Sequence, residues 1–127
     1  PISLIEHPEA MEELRADRSL MATAVDELLR FAPPVVHFRR TATANCELGS
    51  VSIKAGEKVV VFYASGNRDE SVFVDADALD IDRANARQLL SFGFGVHRCM
   101  GNRLAEMQLR ILWEEIMARF HSVEVVS

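Results

Sequence analysis

The stretch from about Met100 to Phe120 constrains the fold of this chain more than any other. Leu109, Leu112, Trp113, Ile116, Met117 and Phe120 recur at i, i+3, i+4, i+7, i+8 and i+11, which lays one broad apolar stripe along a helix. Glu106, Arg110 and Glu114 follow at i, i+4 spacing on another face, where opposite charges attract along the surface. The stripe predicts a helix packed against a core, and the charged row predicts a solvated face. Such a helix needs neighbours to cover it, and the upstream sequence offers candidates. Pro8-Glu9-Ala10-Met11-Glu12-Glu13-Leu14 has proline near its start and glutamates in its first turn, as helix N-termini prefer. A second helix is predicted from Ser19, read as its N-cap, through Val25, Leu28, Leu29 and Ala32 until Pro33-Pro34 stops it. Glu27 and Arg30 lie three apart on it. Between Val35 and Tyr63 the pattern changes to two or three short strands, with turns at Leu48-Gly49-Ser50 and Lys54-Ala55-Gly56-Glu57 and the clearest strand at Lys58–Tyr63. Residues 64–91 are polar and aperiodic and predict a long ordered loop. The expected class is mainly α with a small β region.

Composition narrows the function. Fourteen Lys plus Arg against nineteen Asp plus Glu give a net charge of −5, with no basic run to follow a phosphate backbone, so nucleic acid is not the expected partner. No stretch approaches the roughly 18 apolar residues of a membrane span, and no basic segment followed by an apolar one opens the chain. A cytoplasmic protein is the expectation. Two cysteines, Cys46 and Cys99, cannot build a disulfide framework or a four-thiolate zinc site. With 127 residues, no internal repeat and no low-complexity linker, residues 1–127 read as one domain or one piece of a larger one.

Ser91-Phe92-Gly93-Phe94-Gly95-Val96-His97-Arg98-Cys99-Met100-Gly101 runs directly into the final helix. Its three glycines open backbone conformations closed to other residues and permit close approach to a bulky group. Cys99 is expected beside outward-pointing helix amides, which favour a thiolate. That thiolate could be a nucleophile, a redox sensor or a metal ligand, and a buried cysteine in a glycine-rich turn would look the same. Zinc would need further ligands at short spacing, yet only His97 is close, and His7, His37 and His121 are scattered. A nucleophile would need His37 or His121 as its base.

Phe92-Gly93-x-Gly95-x-His97-x-Cys99-x-Gly101 resembles, at every defined position, the cysteine-ligand loop of the cytochrome P450 haem-thiolate monooxygenases. Upstream, Glu27-Leu28-Leu29-Arg30 matches that family's Glu-x-x-Arg helix, and Arg40-Thr41-Ala42 and Gly66-Asn67-Arg68-Asp69 also resemble family segments in the same order. The resemblance covers essentially the whole chain and implies a single partial domain, the haem-ligating C-terminal portion of the fold. The long central helix with its acid–alcohol pair, most of the substrate pocket and the C-terminal strands would lie outside it, so the fragment alone should not turn over.

By position, the resemblance implies that Cys99 is the thiolate ligand of haem b, pushing electron density through the metal to favour O–O cleavage. Phe92 would pack beside the ligand loop, Gly93 and Gly95 would allow its bulged hairpin, and Gly101 would let the next helix lie close to the porphyrin. His97 and Arg40 would hydrogen-bond the haem propionates. Glu27, Arg30 and Arg83 would form a buried charge triad anchoring the long loop. Val35, Val36, His37 and Phe38 would border a hydrophobic substrate, although a core strand would read the same way. Arg98 and Arg103 would face an acidic, ferredoxin-type electron donor served by its reductase.

The implied reaction takes two electrons and O2 and places one oxygen atom in an unactivated C–H bond. The segment Phe94–Glu115 is further similar to soluble bacterial alkane and fatty-acid terminal hydroxylases of the superfamily, and steroid- and terpene-oxidising relatives share much of the pattern. Two rivals stand beside this reading. One is a non-catalytic haem-binding or truncated remnant of such an enzyme; the other is a cysteine-based redox or hydrolytic domain without haem.

Overall fold

The computed structural model describes residues 2–126. Five helices and two small antiparallel sheets follow in the order α1 (Ser3–Glu6), α2 (Pro8–Ala16), α3 (Met21–Phe31), β1 (His37–Thr41), β2 (Cys46–Leu48), β3 (Val51–Ile53), β4 (Lys58–Phe62), α4 (Tyr63–Gly66) and α5 (Asn102–Arg119). Pro8 occupies the first turn of α2, where its missing N–H costs nothing. The second helix starts later than Ser19, because Asp17 takes the capping role: its carboxylate accepts from the Ser19 amide at 2.9 Å and hydroxyl at 2.6 Å. That cap folds Arg18–Leu20 into a 3-10 turn, and α3 begins at Met21.

Among the described residues there are four strands rather than two or three. β2 and β3 form a tight hairpin through Gly49 at φ +60°, and β1 pairs with β4 from His37 opposite Phe62 to Thr41 opposite Lys58. Gly56, at φ +87°, turns the chain back, and its amide donates to Ala42 O at 2.8 Å.

The core lies between α1, α2, α3 and α5, where Leu4, Leu14, Val25 and Leu28 meet Trp113 and Met117. The apolar stripe of α5 is only partly covered. Trp113 and Met117 are buried and Leu109 and Ile116 pack at the margin, but Leu112 and Phe120 are exposed. α3 and α2 cover one flank of the helix, and no described segment covers the other. Exposed Leu104, Met107 and Ile111 continue that bare flank. Arg110 and Glu114 are solvated and 3.8 Å apart, while Glu106 is half-buried and turns to Arg103 at 3.1 Å.

The segment 64–91 is an ordered excursion that begins within α4 and contains a 3-10 turn at Ala86–Gln88. It buries Phe73, Ala76, Ile81 and Leu89 without helical or strand periodicity. Arginine side chains bind its carbonyls in place of backbone ladders.

Candidate functional site

The site is assembled around Arg30, which is wholly buried on α3. Its Nε and Nη2 donate to the two carboxylate oxygens of Glu27 at 2.7 and 2.8 Å, a bidentate pair made possible by the i, i+3 spacing on one helix face. Nη1 donates to Asn67 O at 2.6 Å and Ala76 O at 2.9 Å, and Nη2 also reaches Ala78 O at 3.2 Å. Arg83 arrives from the long segment: its Nε donates to Glu27 Oε1 at 3.1 Å and its Nη atoms to the carbonyls of Val74, Asp75 and Ala78. One carboxylate thus faces two guanidiniums, and both guanidiniums spend their remaining donors on loop carbonyls. The Asp80 amide completes the set at 3.1 Å from Glu27 Oε1. Glu27, Arg30 and Arg83 are themselves out of water, so removing any one of the three leaves buried charge without its partner.

The C-terminus of α3 shows a second arrangement. The last carbonyls of a helix have no partner within it. Here Leu29 O accepts from Ser91 Oγ at 2.5 Å, Arg30 O from Asn67 Nδ2 at 3.1 Å, and Phe31 O from an Arg68 Nη at 3.1 Å. Asn67 is fully buried and uses its whole side chain, since Nδ2 also donates to Ser91 Oγ at 2.8 Å and Oδ1 accepts from the Leu90 amide at 2.6 Å. Asn67 stood in a recognised segment, but sequence reasoning gave neither it nor Ser91 a role. The available signal was a helix ended by Pro33-Pro34 with no glycine to cap it, which leaves carbonyls needing outside donors.

Leu90 and Ser91 open the cysteine loop. The Gly93 amide donates to Leu90 O, the Cys99 amide to Phe92 O at 2.8 Å, and the Arg98 amide to Gly95 O. Gly93 at φ +71° and Gly95 at φ +67° carry the backbone through the left-handed region. Between them and Cys99, Gly95–His97 forms one 3-10 turn. Cys99 is a free, exposed thiol held three residues ahead of α5, with the Met100-Gly101 turn between it and the first helical residue. A Cβ on Gly101 would lie 3.7 Å from Cys99 Sγ, in ordinary van der Waals contact with the sulfur. Phe92 is half-buried against the helical core, whereas Phe94, Val96 and Met100 stand out from the loop, Met100 fully exposed and Val96 96% so.

The strand region approaches the loop through Tyr63, whose hydroxyl would lie 3.5 Å from a Cβ on Gly93 and whose ring packs edge-on against Phe38 at 5.8 Å. Tyr63, expected from the sequence to end a strand, begins α4 instead. Its amide donates to Val36 O at 2.9 Å, and His37 stacks on Phe62 at 5.3 Å. Val35 is half-buried, while Val36, His37 and Phe38 are exposed. Arg40 is exposed on β1, with its guanidinium 5.5 Å from the Phe38 ring centre, and His97 is exposed at the end of its turn.

Between α3 and α5 a cavity of about 300 Å³ is lined by Asp26, Arg87, Arg103, Glu106 and Arg110. Burial, reinforced by the nearby Glu106 charge, holds the Asp26 carboxyl above the ordinary range, against the pull of Arg87 at 3.3 Å.

Among the described residues no three His, Cys, Asp or Glu side chains converge on a point. Cys99 could give one thiolate ligand to a metal whose other ligands come with it, as iron's do in a porphyrin. The exposed thiol, the glycine-lined backbone beside it and the bare apolar side chains of the loop fit such a flat, largely apolar group.

Comparison with known proteins agrees with this geometry. The model of the family "Cytochrome P450" matches residues 3–126. The chain is 47% identical over 126 residues to linalool 8-monooxygenase of Pseudomonas putida, covering 99% of this chain and 31% of that protein. It is 48% identical over 119 residues to vitamin D3 dihydroxylase of Streptomyces griseolus, covering 93% of this chain and 29% of that protein. In structure it superposes on cytochrome P450-153 from Novosphingobium aromaticivorans with a TM-score of 0.93 and 53% identity, over 98% of this chain and 31% of the other. The chain thus spans under a third of the length of these relatives, with the Glu27–Arg30 helix, the arginine-bound segment and the Cys99 loop in one continuous match. It belongs to the cytochrome P450 family.

Proposed function

We propose that the whole protein is a haem-dependent monooxygenase that inserts one oxygen atom of O2 into an unactivated C–H bond of a hydrophobic substrate. The observation that carries this reading is the exposed Cys99 thiol on a hydrogen-bonded, glycine-shaped loop that leads into α5. When bound, haem b supplies oxygen activation, tuned by electron donation from its thiolate ligand. Cys99 serves as that ligand, and Phe92 packs beside it. Gly93 allows the left-handed backbone of the ligand loop, and Gly101 lets α5 lie close to the porphyrin. His97 and Arg40 hold the propionates by charge-assisted hydrogen bonds. Glu27, Arg30 and Arg83 anchor the loop platform on the ligand side. Val35, Val36 and His37 border the substrate.

A ferredoxin-type protein with its reductase delivers two electrons, docking by charge near Arg98 and Arg103. The finer reading is terminal hydroxylation of alkanes or fatty acids, supported by the likeness of Phe94–Glu115 to hydroxylases of that kind. The relatives named for linalool and vitamin D3 make terpenes and secosteroids the competing substrates. Full-length protein supplied with a ferredoxin, its reductase and isotopically labelled O2 should convert a chain-terminal methyl of an alkane or fatty acid to an alcohol carrying one labelled oxygen. Labelled product only from terpenoid or steroid substrates would overturn the finer reading. A reducible haem protein that labels none of them would overturn the monooxygenase.

A further inference from the structure

We infer that Asn67 and Ser91 are positioning residues for the cysteine ligand, fixing the entry of its loop to the end of α3. The inference rests on the haem-thiolate reading of Cys99 and adds to it the means by which the loop is held.

Three observations carry it. First, both side chains are buried and every hydrogen-bonding group of the Asn67 amide is engaged, so the pair has one arrangement rather than several. Second, the bonds join two elements by their backbones. Leu29 O and Arg30 O belong to the last turn of α3, while the Leu90 amide and Ser91 itself belong to the first residues of the loop. Third, the connection continues to the thiol through only two further backbone bonds. Leu90 O holds the Gly93 amide, and Phe92 O, next in sequence to Ser91, holds the Cys99 amide at 2.8 Å.

The glycines at 93 and 95 make the loop permissive in its backbone, so its geometry has to be imposed from its ends. α5 imposes it at one end and the Asn67–Ser91 pair at the other. Arg68 provides the contrast. It caps Phe31 O on the same helix end but makes no hydrogen bond to the loop, and its other partners are Asp77 and the face of Phe31. A residue that merely stabilises this helix end should therefore behave like Arg68, and a positioning residue should not.

The test uses full-length, haem-loaded protein. Two quantities are read: the ratio of red-shifted to unshifted Soret band in the ferrous–carbon monoxide complex under mild urea, and hydrogen exchange at the Cys99 amide. Ser91→Ala strands the Leu29 carbonyl and one Asn67 donor in a dry site. It is expected to shift the ratio roughly tenfold toward the unshifted form, about 1.4 kcal/mol, and to speed Cys99 exchange by a similar factor. Ser91→Thr, which keeps the hydroxyl, should restore both. Arg68→Ala should lower the thermal midpoint and leave both unchanged. If Ser91→Ala does not fold, Ser91→Cys, with a weak donor of similar size, takes its place. A Ser91 variant indistinguishable from the parent, or an Arg68→Ala effect of equal size, overturns the inference. A parent protein with no red-shifted band refutes the haem-thiolate reading itself, which separates the two failures.

Discussion

Glu27→Ala is the perturbation whose cost follows most directly from the geometry. Glu27 and Arg30 are 0% exposed and Arg83 is 6% exposed, so no water stands ready to replace the carboxylate. The substitution removes acceptors at 2.7, 2.8 and 3.1 Å from the two guanidiniums and a further one at 3.1 Å from the Asp80 amide. Two buried cations then face one another's surroundings with only carbonyl dipoles for company. Breaking a buried pair by removing one partner costs about 3–5 kcal/mol, against a total stability of roughly 5–15 kcal/mol. In urea unfolding of the full-length protein this corresponds to a midpoint lowered by about 1 M or more. Amides of the segment 67–85 should lose exchange protection first, because Arg30 and Arg83 hold its carbonyls. A cycle with Arg83→Met sharpens the test. Once Glu27 is gone, Arg83 is an uncompensated charge, so the double variant should be better than the sum of the singles by about 0.5–3 kcal/mol. A Glu27→Ala cost under about 1 kcal/mol, the range of exposed ion pairs, would refute the claim that the triad is dry.

Other predictions concern the helical core. Arg15 donates to the carbonyls of Met117, Phe120 and His121, so Arg15→Ala should cost about 1.5–3 kcal/mol and fray the end of α5 before α3, as read by hydrogen exchange. Uniform loss of protection in both helices would contradict this. Asp26 is held above its ordinary value of 3.8 by burial first and by Glu106 second, so the folded state binds its proton more tightly than the unfolded one. Its contribution is intact below pH 3.8 and is lost as pH rises through the folded value. The stability of Asp26→Asn relative to the parent should therefore increase with pH across that window in urea titrations. A difference that stays flat or falls would contradict the assignment.

What could be read without coordinates had a local physical code. The α5 stripe, the proline stop after Ala32 and the turns at Gly49 and Gly56 each express a periodicity or a backbone requirement carried by a few adjacent residues. The Cys99 loop showed locally only a cluster of glycines around one thiol, with nucleophile, redox sensor, metal ligand and buried turn all open, and its resemblance to the family's ligand loop chose among them. The segment 64–91 was legible only as irregular. Phe73, Ala76 and Ile81 are buried by arginines that satisfy carbonyls from a distance, and hydrogen bonds between residues 37 to 62 positions apart leave no period in the sequence. The partners of Asn67 and Ser91 are invisible in the sequence on that account. The exposure of Leu112 and Phe120 was hidden differently: a stripe of apolar residues records that a face is covered, and not which segment covers it.

The central claim is that Cys99 ligates a haem iron, and the ferrous–carbon monoxide difference spectrum of the full-length protein beside its Cys99→Ser variant tests it most directly. The account predicts a red-shifted Soret band in the parent that the variant loses while remaining folded. A folded parent that binds no haem, or a red-shifted band that survives Cys99→Ser, would contradict it.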